Sequence, residues 1–261
     1  MRRAASLAAI LYAAAIYGFV FLPVAVLVTF SFQGGRLPVP PFDGPSLRWY
    51  REVLADRDLM AALANSALVA VASSAVAVVL GFLAAHALAR HRLPGAAWQR
   101  ALLVAPLTVS TLIVGLGLLM LAGALGLPKG LLLVGIGHVV LNMPLCFAVI
   151  FAGMTEAQRS AERAARDLGA GEVAVLRLVA APMLAPPILA AFFLSVTFSW
   201  DEFIVAFLLS RFDVTLPVEI WSLLRSGLTP ETNAIGSVVF LVSIGLVVLL
   251  EATVFRRMGR A

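Results

Sequence analysis

Two adjacent carboxylates, Asp201 and Glu202, stand beside Trp200 in a stretch that is otherwise apolar. A charged side chain within a membrane-spanning segment is costly, so each one is a functional hypothesis by default. Neighbouring residues on a helix point about 100° apart, so both carboxylates could approach one cavity and lower the barrier for a cation crossing the membrane. The alternative is that they pair with Arg211 or another basic residue and hold the end of the helix. We include Trp200, Asp201 and Glu202 in a candidate translocation pathway.

His138 and Asn142 are the second polar pair within an apolar stretch. They lie four residues apart and therefore share one face of a helix. Neither side chain can face lipid without leaving a polar group unsatisfied. Hydrogen bonds to neighbouring helices are the expected solution, and contact with a transported solute is the alternative. Both residues join the candidate pathway.

The common catalytic and metal-binding patterns do not occur in the sequence. Lys129 is the only lysine and follows Pro128, so no G-x-x-x-x-G-K-[ST] loop exists to hold nucleotide phosphates. Cys146 is the only cysteine, which excludes an intrachain disulfide and a cysteine-based metal site. We assign no catalytic residue, no bound cofactor and no metal ligand. If ATP drives this protein, another chain must hydrolyse it.

The composition places the chain in a lipid bilayer. Of its 261 residues 62% are hydrophobic and 13% are charged, whereas soluble domains carry about 25% charged residues. The net charge of +5 comes from arginines in short clusters between apolar runs. This distribution is typical of membrane topology signals and not of a continuous face that binds nucleic acid.

Six stretches reach the length of about 20 apolar residues that a membrane-spanning helix needs. They are residues 7–30, 62–88, 101–123, 130–152, 187–209 and 232–255. We therefore predict an all-α integral membrane protein with six transmembrane helices. Basic residues are more numerous on the side that holds both termini, so both termini are predicted to be cytoplasmic.

The longest predicted cytoplasmic segment, residues 153–186, is the most informative part of the chain. Thr155 precedes Gln158 by three residues, a capping-box pattern that begins a helix, and Glu162 and Arg166 form a favourable i,i+4 pair within it. Gly169 and Gly171 end this helix, and a second short helix is expected to end at Pro182. A plain connector between two spans is the alternative, although connectors are usually shorter.

Residues in this segment resemble the "EAA" loop of permease subunits from binding-protein-dependent importers. The family motif reads E-A-A, three residues, G, nine residues, I, one residue, L-P. The corresponding residues here are Arg163, Ala164, Ala165, Gly169, Val179, Ala181 and Pro182. Arg163 replaces the usual glutamate, and Glu162 stands one position earlier. Residues 195–203, 216–227 and 229–234 are similar to permeases of spermidine and putrescine importers.

The resemblance implies the fold of a type I ATP-binding-cassette (ABC) importer permease in the bacterial inner membrane. The permease domain that resembles the family covers residues 62–255, with the coupling loop at 153–186. Before it lie a first helix and a periplasmic loop (1–61), in which apolar residues at helical spacing from Ser46 onward predict a surface helix, and after it a basic cytoplasmic tail (256–261). The resemblance also implies that a coupling helix docks on an ATPase subunit. The residues assigned to this coupling are Glu162, Arg163, Ala164, Ala165, Asp167, Gly169 and Pro182.

The implied partners are an ATPase dimer that uses ATP and Mg²⁺, a second related permease subunit and a soluble substrate-binding protein. A polyamine is the expected solute, with an aminophosphonate, thiamine or iron as the alternative within the same class. An ion-gradient-driven secondary transporter is the alternative from another class. It would account for the six spans and for Asp201 and Glu202, but not for the helical segment at 155–182.

Overall fold

The computed structural model describes residues 2–91, 94–227 and 229–258, and these residues contain no β-strand. The last three residues of the predicted basic tail, 259–261, lie outside the described residues. We number the helices α1 (Arg2–Ser31), α2 (Arg48–Ala55), α3 (Arg57–Arg90), α4 (Ala96–Val104), α5 (Thr111–Ala124), α6 (Leu131–Ala152), α7 (Glu156–Asp167), α8 (Glu172–Met183), α9 (Ala185–Asp201), α10 (Ile204–Leu209), α11 (Leu216–Ser226) and α12 (Pro230–Met258).

Among the residues that the structure describes, four helices are long and apolar enough to cross a membrane by themselves. They contain residues Ala9–Ser31, Arg57–Arg90, Leu131–Ala152 and Pro230–Leu249. Two bent helix pairs bring the total to six if each pair is one span: residues 96–124, bent by 102°, and residues 172–201, bent by 77°. Four to six spans therefore agree with the structure.

Two of the predicted spans are not the single helices that the sequence suggested. The stretch 101–123 is broken around Pro106, which lies in a 3₁₀ turn, and Ser110 has an extended backbone before α5 begins. Proline lacks the N–H that would continue an α-helix. The stretch 187–209 was predicted as one helix, but α9 ends at Asp201, Glu202 is extended, and α10 is separate.

One compact unit consists of residues 61–219 and 243–261. The described part of its core includes one cluster around Val134, Val205 and Leu209 and another around Phe147 and Ile150, all almost fully buried. Helices α3 and α6 lie in close contact at Gly81. A Cβ atom there would lie 2.8 Å from the backbone nitrogen of Phe147. A small residue at this position therefore permits the close helix contact that is common in membrane proteins.

The other compact unit consists of residues 1–60 and 220–242. The apolar helix α1 leaves nearly all its described side chains exposed. The loop after it folds around the buried side chain of Gln33, which donates to the carbonyl of Pro41 at 2.9 Å and accepts from the backbone of Asp43 at 2.9 Å. Trp49 Nε1 donates to the Gln33 carbonyl at 2.7 Å. The helix predicted in this loop is α2, with Trp49 and Val53 buried.

Candidate functional site

Helix α7 begins as the sequence predicted. The Thr155 hydroxyl accepts a hydrogen bond from the backbone of Gln158, and the Gln158 side chain accepts one from the backbone of Thr155 at 2.9 Å. This reciprocal capping box satisfies two backbone donors at the helix start. Gln158 and Glu162 then face inward and are buried, so the inner face of α7 is polar.

The ion pairs of α7 differ from the sequence prediction. Glu162 does not pair with Arg166. It is fully buried and forms two hydrogen bonds with Arg90 at the end of α3, whereas Arg166 forms two hydrogen bonds with Glu172 at the start of α8. The hydrogen bonds to Glu172 raise the pKa of Arg166 above its ordinary value. The i,i+4 rule applies only to residues on the same helix. It therefore could not predict that Glu162 pairs with Arg90, which is 72 residues away in the sequence.

The turn between α7 and α8 depends on Gly169. Its φ angle is +90°, a conformation that residues with a Cβ rarely adopt. The backbone N–H of Ala170 donates to the carbonyl of Ala165 at 3.0 Å and closes the turn. Beyond the turn α8 contains a π-helical stretch, Val175–Ala180, and it continues past Pro182 to Met183. The predicted end at Pro182 is therefore one residue early.

The α7–α8 helix pair presents a mixed surface. Leu168, Val173 and Leu178 are exposed by 90%, 67% and 75%, although all three are apolar. None of these three is a predicted coupling residue, and the predicted coupling residues themselves differ in exposure. Five of them are exposed: Arg163, Ala164, Asp167, Gly169 and Pro182. Ala165 is half-buried, and Glu162 is buried.

The polar pair of α6 forms hydrogen bonds with neighbouring helices. His138 Nδ1 and the Ser199 hydroxyl of α9 are hydrogen-bonded, and the Ser199 hydroxyl lies 3.3 Å from the Ser73 hydroxyl of α3. Asn142 Nδ2 donates to the carbonyl of Ser195 in α9 at 3.5 Å. The predicted interhelical bonding is therefore present. Sequence reasoning missed the partners Ser195 and Ser199, although their spacing of four matches that of His138 and Asn142.

The two adjacent carboxylates point to different surroundings. Glu202 Oε2 accepts hydrogen bonds from the backbone N–H groups of Val205 and Ala206, at 2.8 and 3.3 Å, and thereby caps α10. The same oxygen lies 3.8 Å from His138 Nε2. Asp201 is exposed at the end of α9. Within the described part of the chain neither carboxylate pairs with Arg211, whose guanidinium lies over the Phe212 ring at 4.9 Å.

A cavity of about 220 Å³ adjoins Glu202. Its lining combines apolar residues with four polar ones, which are Thr111, His138, Asn142 and Glu202. Asp201 and Trp200 do not line it; Trp200 is buried, and its indole N–H has no hydrogen-bond acceptor among the described residues. Of the five predicted pathway residues, the structure therefore brings three together: His138, Asn142 and Glu202.

The comparison with solved structures concerns the fold. The fold matches that of a bacterial ABC transporter involved in the import of the acidic polysaccharide alginate, with a TM-score of 0.69, 19% identity, and coverage of 97% of this chain and 96% of the other. This likeness shows that the two chains share a fold.

Sequence comparison defines the family. The profile described as "Binding-protein-dependent transport system inner membrane component" matches residues 77–259. The putrescine transport system permease protein PotI of Escherichia coli is 35% identical over 239 residues, 88% of this chain and 84% of the relative. The spermidine/putrescine transport system permease protein PotC of Haemophilus influenzae is 30% identical over 237 residues, 90% and 92% of the two chains. This chain belongs to the family of inner membrane components of binding-protein-dependent transport systems.

Proposed function

We propose that this inner membrane permease subunit forms part of the path by which a polyamine enters the cell. The observation that carries the proposal is the 35% identity to a putrescine permease along 239 residues. A cavity that contains the Glu202 carboxylate is consistent with a cationic solute.

The proposed topology follows the sequence analysis. Each bent helix pair is one span, which gives six, and both termini are cytoplasmic. Residues 1–61 form the first span and a periplasmic loop, residues 62–255 form the permease domain, and residues 256–261 are a cytoplasmic tail. A second, related permease subunit completes the pathway, and a soluble binding protein delivers the solute.

The α7–α8 helix pair is the proposed docking element for an ATPase subunit, which uses ATP and Mg²⁺. The exposed surface of this helix pair supports the proposal. Leu168, Val173 and Leu178 expose apolar surface on a helix pair whose turn is fixed by Gly169, and exposed apolar residues on such an element favour contact with a partner. The exposed coupling residues contact the ATPase, whereas Glu162 acts from within the protein. Closure of the ATPase dimer moves the pair, and the helices rock between the two access states.

The test is uptake of labelled putrescine and spermidine by cells in which this gene is deleted and no other polyamine importer is present. The deletion strain is complemented with the wild type, Glu202→Gln or the matched control Glu52→Gln, which removes a half-exposed carboxylate of α2. We expect the wild type and the control to restore uptake and Glu202→Gln to restore less than a tenth of it, at equal membrane levels. Unchanged uptake after deletion would exclude polyamines and favour an aminophosphonate, thiamine or iron.

A further inference from the structure

Glu162 makes a buried contact with Arg90. Docking of the helix pair to a partner would not require this contact. Its side chain lies on the inward face of α7 and has no exposed surface, so it cannot touch another subunit. Oε2 accepts a hydrogen bond from Arg90 Nε at 2.9 Å, and Oε1 accepts one from Arg90 Nη2 at 3.1 Å. His86, one turn earlier on α3, places Nε2 3.3 Å from Oε2.

The burial of this contact distinguishes it from the other ion pairs of α7. The bonds between Arg166 and Glu172 are as short, at 2.8 and 2.9 Å, but they lie at the surface. Exposed pairs are screened by solvent and constrain a structure weakly. A buried bidentate pair between arginine and a carboxylate fixes both the distance and the orientation of the two side chains. Arg90 and Glu162 therefore hold the end of α3 to the middle of α7.

Helix α3 continues from this contact to the polar residues of the cavity. It is one uninterrupted helix of 34 residues, about 50 Å long at about 1.5 Å per residue. Along it, the Ser73 hydroxyl lies 3.3 Å from the Ser199 hydroxyl, which is hydrogen-bonded to His138 beside the cavity. The same helix thus contacts α7 at Arg90 and, at Ser73, the Ser199 hydroxyl that is bonded to the cavity residue His138.

We propose that the Arg90–Glu162 pair transmits displacement of the α7–α8 helix pair to α3 and thereby to the cavity. The chain itself connects the helix pair to α6, through residues 153–155, and to α9, through the 77° bend. It does not connect the pair directly to α3, and the Arg90–Glu162 contact supplies that connection, so that α3 moves together with α6 and α9. Arg90 and Glu162 are positioning residues in this mechanism. The inference rests on the proposed docking of the helix pair to an ATPase subunit.

The test uses the transporter complex purified through a tag on this chain and reconstituted in liposomes with putrescine-loaded binding protein. ATP hydrolysis and putrescine uptake are measured on the same preparation. Glu162→Gln preserves the shape of the side chain and removes its charge. The double variant Arg90→Met/Glu162→Met removes both charges together, a replacement that buried ion pairs often tolerate without loss of stability. Glu52→Gln, which breaks the exposed Arg48–Glu52 pair of 2.7 Å, is the matched control.

We expect both variants of the pair to retain the ATPase subunit and to hydrolyse ATP, while putrescine transported per ATP hydrolysed falls at least tenfold. The control should stay within twofold of the wild type. The proposal is overturned if the double variant transports as much per ATP as the wild type. It is equally overturned if uptake and hydrolysis fall together in proportion to the amount of intact complex, because the pair would then serve only to hold the fold. A wild-type complex without an ATPase subunit or ATP-dependent uptake would reject the proposed function itself, and the transmission with it.

Discussion

Replacing Gly81 with alanine would place a Cβ atom 2.8 Å from the backbone nitrogen of Phe147 and 2.9 Å from the Cβ of Cys146. Ordinary contacts of a Cβ atom begin near 3.4 Å, so α3 and α6 would have to separate by several tenths of an ångström. Rotation of a flexible side chain cannot relieve the contact, because the nearest atom belongs to the backbone. Gly117 provides the control, since nothing lies within 4 Å of a Cβ atom built there.

The expected size of the effect is the difference in unfolding midpoint between Gly81→Ala and Gly117→Ala. Alanine is favoured over glycine inside a helix by about 1 kcal/mol, and both variants gain this term. Overpacking at Gly81 costs about 1–3 kcal/mol, which corresponds to about 2–12 °C in the unfolding midpoint of a chain of this size. Gly81→Ala should therefore unfold below Gly117→Ala by an amount in this range.

Cys146 makes the assay specific to the contact. It is the only cysteine, it is fully buried, and it lies against Gly81. A maleimide that becomes fluorescent on reaction with a thiol therefore reports when α3 and α6 separate during heating in detergent. An unfolding midpoint for Gly81→Ala equal to or above that of Gly117→Ala would refute the close helix contact.

Three further predictions concern the cavity, the turn and the loop after α1. Glu202→Gln should reduce solute uptake at least tenfold, whereas Asp201→Asn should reduce it less than threefold, because only Glu202 lines the cavity; equal effects in an uptake assay would contradict this placement. Gly169→Val forces a residue with a Cβ atom to adopt a positive φ angle, which costs about 1–2 kcal/mol of strain. This variant should lower ATP-dependent uptake more than it lowers the amount of protein in the membrane, and normal uptake would contradict the proposed role of the turn in coupling. Trp49→Phe removes the indole bond to Gln33 and should destabilise the folded loop by about 1 kcal/mol, seen as faster proteolysis of residues 33–47, while an unchanged cleavage rate would show that this bond is dispensable.

The sequence predicted the features that depend on residues close together in the chain. Thr155 and Gln158 form the capping box because its geometry requires only a spacing of three. Gly169 ends α7 because the turn needs a positive φ. His138 and Asn142 bond to a neighbouring helix, as any polar pair on one face of a membrane helix must.

The errors arose where distant residues decide the structure. The exposed i,i+4 pair of Glu162 with Arg166 would contribute about 0.2–0.5 kcal/mol, which is small beside the bidentate bonds that Glu162 makes with Arg90. Asp201 and Glu202 were treated as neighbours on one helix, but the helix ends between them because Glu202 caps α10. Helix capping by a carboxylate competes with continuation of the helix, and local apolar character does not reveal which prevails.

ATP-dependent uptake by the purified complex tests the central claim most directly. The complex that copurifies with this chain is placed in liposomes, with ATP and Mg²⁺ on the side of the α7–α8 helix pair and putrescine-loaded binding protein on the other side. The account predicts accumulation of labelled putrescine that requires ATP hydrolysis and the binding protein. Uptake that proceeds without ATP and follows an imposed ion gradient would contradict it and would identify a secondary transporter instead.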